Sequence, residues 1–532
     1  MKSNIAQSFQ KLLASFVETL EKKSTLANKA AWILETTGSQ DAADLKAYLD
    51  TEVRILLSDP KLYEQLKEWE GKIEDPLLQR EWDVLFRSVK QNLLPKELLQ
   101  KISNKEAELG SSYTSFRPEL NGKKVSENEI RDILKSEVNV STRIQAWEAS
   151  KQIGPILAPQ ILELVELRNQ AARHLGYSDF FQMQLELQEV DRTWLLSTFE
   201  TLSQKSDQAY SDVLREVEKG QRELFHVKEE ELGPWSWSDP FCQEDPLDSH
   251  ALDSLVEGVD IVETCTAFYD RMGMDVRAVL SRSDMFERAN KNQHAFCIHI
   301  DRKGDVRTLN NVSSSLKWLE TVLHEYGHAI YDEAIDPELP WILREPPHMI
   351  TTEAMALLAG RQAYKASSLP FLVGTSPQKT ALMKLSDKSL ARRQLIFSRW
   401  VLVMTAFESE LYRDPTQDLN QLWWGFVEKY QKIRPPSGRE HASDWAAKYH
   451  IGLAPVYYFS YLLGEMFASA IQEVLVQECG SSQIATKAAG DFLRNRLFKP
   501  GNRLRWDALV EFVTGKPLTA DAWLKEFCEK VR

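Results

Sequence analysis

His324-Glu325-Tyr326-Gly327-His328 sets two imidazoles four residues apart, a spacing that serves a purpose only on a helix. Four residues carry a helix about 40° past a full turn, so both rings leave one face and can reach one ion. Glu325 lies about 100° further round, close enough to a metal-held water yet badly placed as a third ligand, so proton transfer is its natural task. Zinc lowers the pKa of a water it holds to about 7, and a carboxylate within hydrogen-bond reach can take that proton and later return it to a leaving group. A bland reading leaves both His decorating a helix and Glu325 in solvent. Leu323 and Ile330 argue against it, because they mark the helix as buried, and a buried His pair beside a buried Glu is costly without a ligand.

The surroundings support a helix. Leu316, Leu319, Val322, Leu323 and Ile330 recur at helical spacing behind the capping residues Ser313 to Ser315. A catalytic zinc needs a third protein ligand and an open position. Glu353, 25 residues past His328, follows the break at Pro346-Pro347 and sits among Met349, Ala354, Met355, Leu357 and Leu358, where a lone carboxylate on an apolar helix is unexpected. Glu345, His348, Asp332 and Asp336 are its rivals, all in or near the connecting loop. Two imidazoles and a carboxylate suit one zinc ion per chain.

The rest of the chain reads as helix. Its 532 residues can bury a large core, and 43% apolar with 27% charged residues is an ordinary globular balance. Phe9, Leu12, Leu13, Phe16, Val17 and Leu20 form one stripe over residues 1–23, an amphipathic helix of the folded body rather than a secretory leader. Asp59-Pro60, Asp75-Pro76 and Asn121-Gly122 punctuate a charge-rich, helix-periodic region up to about residue 130. Helical periodicity continues from Ser141 to Ala171 and breaks at Gly176 and Ser178-Asp179, while the Trp-rich stretch Pro234 to Pro246 reads as a loop of the kind that lines pockets. One place reads as strand: His294 to Ile300 and Val306 to Leu309, a hairpin with Gly304 at its tip.

Composition removes several function classes. A net charge of -13, from 65 basic and 78 acidic residues, opposes binding to nucleic acid or to an anionic membrane surface. No apolar run reaches the eighteen or so residues of a membrane span, and the nearest, Leu395 to Phe407, is interrupted by Arg399. Cys242, Cys265, Cys297, Cys479 and Cys528 are odd in number and scattered, which fits a reducing compartment, the cytoplasm, and excludes a sulfur metal site.

Beyond the motif, an ordered series runs along much of the chain: Ala146-Trp147-Glu148 through Leu167-Arg168-Asn169, Gly176-Tyr177, Leu343-Arg344-Glu345, Lys429-Tyr430-Gln431, Pro435-Pro436 and Asp444 to His450. In these residues the sequence resembles the angiotensin-converting-enzyme family of zinc peptidyl-dipeptidases, and more distantly the thimet oligopeptidase and neurolysin group. The resemblance implies a mostly α zincin peptidase, a two-lobed ellipsoid with a deep central cleft and zinc on its floor. It implies a single peptidase domain over residues 1–532, in which 1–130 supply lid-like helices and 131–532 the cleft-forming body, with the small β hairpin beside the metal helix. His294 and Ala295 then match the edge strand that aligns an extended peptide by main-chain pairing. Lys448 and His450 match a pair that holds substrate, His450 bonding a backbone carbonyl and Lys448 the C-terminal carboxylate. Tyr458-Phe459-Ser460-Tyr461 reproduces a Y-x-x-Y spacing in which Tyr461 is the donor to the oxyanion and Tyr458 contacts the carboxylate, with Tyr457 as the register alternative. Removing an oxyanion donor of this kind typically costs about 3 to 4 kcal/mol of transition-state stabilisation. For any one of these Tyr the bland reading is an aromatic stripe in the core.

The departures from that family matter equally. Ser460 stands where the animal enzymes place a chloride-binding Arg, so chloride activation is not implied. Leu357 occupies a position where the family has an Asp behind the metal. The interval from His328 to Glu353 is one residue longer than in the converting enzymes and equals that of the oligopeptidase group. A second carboxylate-binding position, a Gln in the family, falls near Trp235 to Ser238 without an alignable partner. The expectation is therefore a cytoplasmic zinc peptidase that cuts short peptides near a free C-terminus, releasing dipeptides. An oligoendopeptidase or a one-residue carboxypeptidase on the same fold is the alternative, and a non-catalytic peptide-binding protein a more remote one. No oligomeric state follows from the sequence.

Overall fold

The computed structural model describes residues 2–247 and 249–530, and most of them are helical. Among the described residues the sheets are two antiparallel two-stranded ribbons, so the chain is mostly α. By its internal contacts it divides into two compact units, each assembled from three stretches: Met1–Leu93, His250–Ser386 and Leu463–Thr519 in the first, Leu94–Ser249, Asp387–Leu462 and Ala520–Arg532 in the second.

In the first unit the amphipathic N-terminal stripe continues further than its sequence pattern, in a helix Lys2–Thr37. Phe9, Leu13 and Leu20 are buried, and Leu12, Phe16 and Val17 are half-buried against Leu62, Leu66, Trp82 and Leu85. The turn signals nearby are helix starts: Asp59 and Asp75 cap the helices Pro60–Glu68 and Pro76–Lys90, accepting from the amides of Lys61 and Leu78, with Pro as the first residue of each. Arg80, buried on the second of these helices, donates from Nε to the carbonyl of Asn502 at 3.0 Å across 422 residues of sequence.

The hairpin is real and shorter than its apolar pattern. Phe296–His299 pairs with Val306–Leu309, Phe296 opposite Leu309 and His299 opposite Val306. His294 and Ala295 fall before the strand, because the Asn292 side chain takes the His294 amide at 2.8 Å and the Asn292 amide is itself spent on Glu35 O. Alternation gives the ribbon two packed faces. Leu309 joins Trp32 and Ile300 on one, while Cys297 and Val306 join Val279 and Ala329 on the other. Ala329 belongs to the helix Leu316–Ala334, so the hairpin rests on the helix of the His-Glu motif.

In the second unit the periodic run from Ser141 forms two helices, Val140–Lys151 and Gly154–His174, instead of one. The interruption has a packing cause: a Cβ at Gly154 would sit 2.3 Å from Ser443 O, an approach only glycine allows. Trp147, Trp400 and Trp445 fill the interior. A second ribbon, Glu119–Leu120 with Lys123–Lys124, turns through Asn121 and Gly122 at φ 53° and 75°. Its two-residue arms are too short for any alternation to announce it, and only the Asn-Gly turn signal marks the place.

The helix Phe459–Cys479 is long and apolar enough, by length and composition, to cross a membrane, which exceeds the run found by inspection of the sequence; 83% of that stretch is buried inside the protein.

Candidate active site

Ser315 starts the motif helix by accepting the Trp318 amide at 3.3 Å, and Leu319, Leu323, Tyr326 and Ile330 bury its inner face. The helix Met349–Gly360 begins where His348 accepts the Ile350 amide on its Nδ1, directly after the Pro-Pro break. Two glycines let these elements close up. A Cβ on Gly327 would lie 2.8 Å from the Cα of Ala356, and one on Gly464 would lie 3.0 Å from the Cβ of Glu353. With side chains at those two points, His328 and Glu353 could not face each other as they do.

They do face each other. One ligand atom from each of His324, His328 and Glu353 lies within 4.8 Å of the others, the group among the described residues that could hold a metal ion. Of the rival ligands, Glu345 is engaged with Arg302 and His348 caps its helix, and neither they nor Asp332 or Asp336 join the group. The two Nε2 atoms of His324 and His328 are 3.2 Å apart. Nδ1 of His328 lies 2.6 Å from Thr352 Oγ1; a proton there leaves the His328 Nε2 lone pair pointing inward. Glu353 is 6% exposed and its Oε2 is buried without a hydrogen-bond partner.

The electrostatics match a cation site. Burial pushes His324 down to about 4, and burial together with His324 holds His328 well below its usual range, so both imidazoles are neutral ligands. Burial, then the charge of Glu465, pushes Glu353 up to about 8. Burial, then Glu353, pushes Glu325 up to about 8 as well. Two inward lone pairs and a stranded carboxylate oxygen are costly together, and a divalent cation resolves all three at once while favouring the ionised carboxylates. The residues present therefore fit zinc. Glu465, whose charge bears on Glu353, is itself tied to Arg361 in a buried ion pair.

His294 and Ala295 belong to the first unit, whereas Lys448, His450, Tyr457, Tyr458 and Tyr461 lie in the second. Tyr461 stands edge-on to Tyr457 at 5.2 Å, to Tyr458 at 5.7 Å and to Phe397 at 6.2 Å. The His450 ring lies 4.8 Å from that of Tyr458, its Nδ1 is buried without a partner, and burial and then Lys448 push it down to about 4. Lys448 is 7% exposed, its Nζ between the rings of Phe241, Trp400 and Tyr458 at 5.1 to 5.4 Å, and burial lowers its pKa to about 8 against the pull of Asp239.

Gln243 is a neighbour of Lys448 that sequence reading did not single out. Its Oε1 lies 3.3 Å from Lys448 Nζ, whereas the stretch Trp235 to Ser238 is spent on Arg143, which donates to Trp235 O and Trp237 O. The loop reaches this register because buried Asp239 accepts the amides of Phe241, Gln243 and Glu244, each at 2.9 Å.

A mostly helical chain that converges two imidazoles and a carboxylate from adjoining helices, with a further glutamate inside the motif, falls in the class of metallopeptidases. Sequence comparison narrows this. The family model described as peptidase family M3 matches residues 133–529, and the angiotensin-converting enzyme model matches residues 3–214. The chain belongs to peptidase family M3. It is also similar to the angiotensin-converting enzyme-like protein Ace3 of Mus musculus, 23% identical across 92% of this chain and 69% of that protein. Angiotensin-converting enzymes of Sus scrofa and Bos taurus are 21% and 22% identical over 75% and 73% of this chain, which spans about a third of their length, 33% and 32%. The resemblance to both peptidase groups thus holds, and the M3 match covers the motif, Glu353 and the tyrosines alike.

Proposed function

We propose that this protein is a zinc-dependent peptidase that hydrolyses short peptides near a free C-terminus, releasing dipeptides. The observation that carries the preference for a free C-terminus is the Lys448–Gln243 pair: a buried ammonium beside an amide, walled by three rings, is suited to a carboxylate. His324, His328 and Glu353 would hold a zinc ion, which when bound would supply Lewis-acid polarisation of the scissile carbonyl and acidify a water. Glu325 takes the proton of the attacking water and delivers it to the departing amine. Tyr461 donates its hydroxyl to the developing oxyanion, and His450 bonds a backbone carbonyl of the peptide. Tyr458, with Tyr457 as the alternative, joins Lys448 and Gln243 at the carboxylate. His294 and Ala295, just before the hairpin strand, offer the peptide main chain their backbone groups other than the His294 amide, which Asn292 holds, and main-chain pairing tolerates varied side chains. Five scattered thiols, none paired, support a cytoplasmic setting.

A second reading, an oligoendopeptidase or one-residue carboxypeptidase, is favoured by one observation: the M3 match over residues 133–529 agrees with the longer His328-to-Glu353 interval. Matched peptides with free and amidated C-termini separate the readings, with products sized by mass spectrometry and a chelator control. Dipeptide release that amidation slows at least tenfold is the expected outcome. Equal rates on both substrates remove Lys448 as the anchor, and undiminished activity in chelator removes the metal.

A further inference from the structure

Val456 holds a backbone conformation that its side chain opposes. Its φ is 56°, and among the described non-glycine residues in that region it is the one with a branched Cβ. It follows Pro455 in a turn whose second central position is ordinarily Gly or Asn, and at 2% exposure it cannot trade the strain for solvent. Such a conformation persists only where the surroundings over-determine it.

One directional contact does so. The Val456 amide donates to Glu408 Oε1 at 2.8 Å, and Glu408, on the helix Pro377–Arg413, is 2% exposed. One helical turn on, the Tyr412 hydroxyl accepts from Arg168 Nη1 at 3.2 Å and the Tyr412 carbonyl from Asn169 at 2.9 Å. Arg168 in turn pairs with Glu106 at 2.8 Å. The face that presents Glu408 is therefore fastened to the helix Gly154–His174. Burial pushes the Glu408 carboxyl up to about 8, with the Val456 amide and then Arg168 acting against it.

A glycine at 456 would make the same turn without strain, so the valine persists because something holds the turn in place. The turn lies between Lys448 and His450 on one side and the tyrosines on the other. Immediately after it, the amides of Ser460 and Tyr461 bond back to Tyr457 O and Tyr458 O, so the helix carrying Tyr461 starts from the direction this turn imposes. We infer that Glu408 is a positioning residue: by clamping the Val456 amide it locks the Pro455–Val456 turn and so sets Tyr458 and Tyr461 against Lys448 and His450. The inference rests on the roles given to those residues under Proposed function.

The test uses the full chain loaded with zinc, wild type against Glu408→Gln, which keeps an acceptor, and Glu408→Leu, which fills the space without one. Glu408→Gln is expected within about threefold of wild type in kcat/KM, whereas Glu408→Leu falls about 10- to 100-fold, mostly in kcat, at unchanged zinc content. Limited proteolysis supplies a readout independent of turnover: Glu408→Leu is nicked between residues 454 and 458 faster than wild type, and Glu408→Gln is not. Wild-type kinetics in a folded Glu408→Leu, or equal damage from Gln and Leu, overturns the clamp. If the wild type itself cuts no peptide, the functional reading fails, and the nicking pattern still decides whether Glu408 holds the turn.

Discussion

Thr352 Oγ1 lies 2.6 Å from Nδ1 of His328, one residue before the carboxylate that the same imidazole faces. A hydroxyl there sets the tautomer of the ring and its orientation. Thr352→Val keeps the shape and loses that bond, so zinc affinity should fall about 10- to 100-fold, read by competition with a chromophoric chelator. Unchanged affinity removes Thr352 from the site.

Gly327 makes the second test, because its missing Cβ is what admits Ala356. Gly327→Ala gains about 1 kcal/mol of helix propensity, yet the atoms it meets at 2.8 and 3.3 Å are the backbone of Ala356, which cannot rotate away. Overpacking of this kind costs about 1 to 3 kcal/mol or more, so Tm should drop by several degrees and zinc should bind less tightly. A variant as stable as wild type with full zinc affinity contradicts the close approach.

Glu325→Gln separates metal binding from proton transfer. Turnover should fall about 100- to 10,000-fold while metal analysis still finds one zinc per chain. A variant that retains activity dissociates Glu325 from the chemistry.

Glu81 gives a pH test far in sequence from the motif. It is 8% exposed, and burial, then the charge of Asp75, raises its pKa to about 7 in the folded chain against an ordinary value of 4.5. Between those two pH values the folded state binds the proton and the unfolded state has lost it, so stability contributed by this group falls as pH rises. Glu81→Gln should therefore match wild type in Tm near pH 4.5, gain on it steadily towards pH 7 and hold a constant advantage above. An advantage that shrinks with rising pH reverses the sign and refutes the assignment.

The helices that carry His324, His328 and Glu353 were legible because their causes are local. Apolar residues at helical spacing, a Ser cap and a Pro-Pro break mark Leu316–Ala334 and Met349–Gly360 without any knowledge of their neighbours. Gln243 was not legible, since it sits in an irregular loop whose register depends on a buried aspartate gathering three amides. Nor was the clamp at Val456, where a hydrogen bond joins residues 48 apart and a valine stands where turn chemistry asks for glycine. The break before Gly154 was legible in Gly154-Pro155, a turn signal with Pro at the start of the second helix, while the close approach to Ser443 that Gly154 permits was not. Local periodicity sees none of these partners.

The Arg80–Asn502 bond has a bearing on how the chain is made. A ribosome adding roughly 5 to 20 residues per second needs about 20 to 80 s to pass from the first partner to the second, a separation of 422 residues. Throughout that interval a guanidinium destined for burial waits in solvent beside half-assembled apolar helices. The N-terminal helix bundle thus cannot complete its polar contacts until residue 502 has been made, and its folding is tied to synthesis of a distant stretch of the chain.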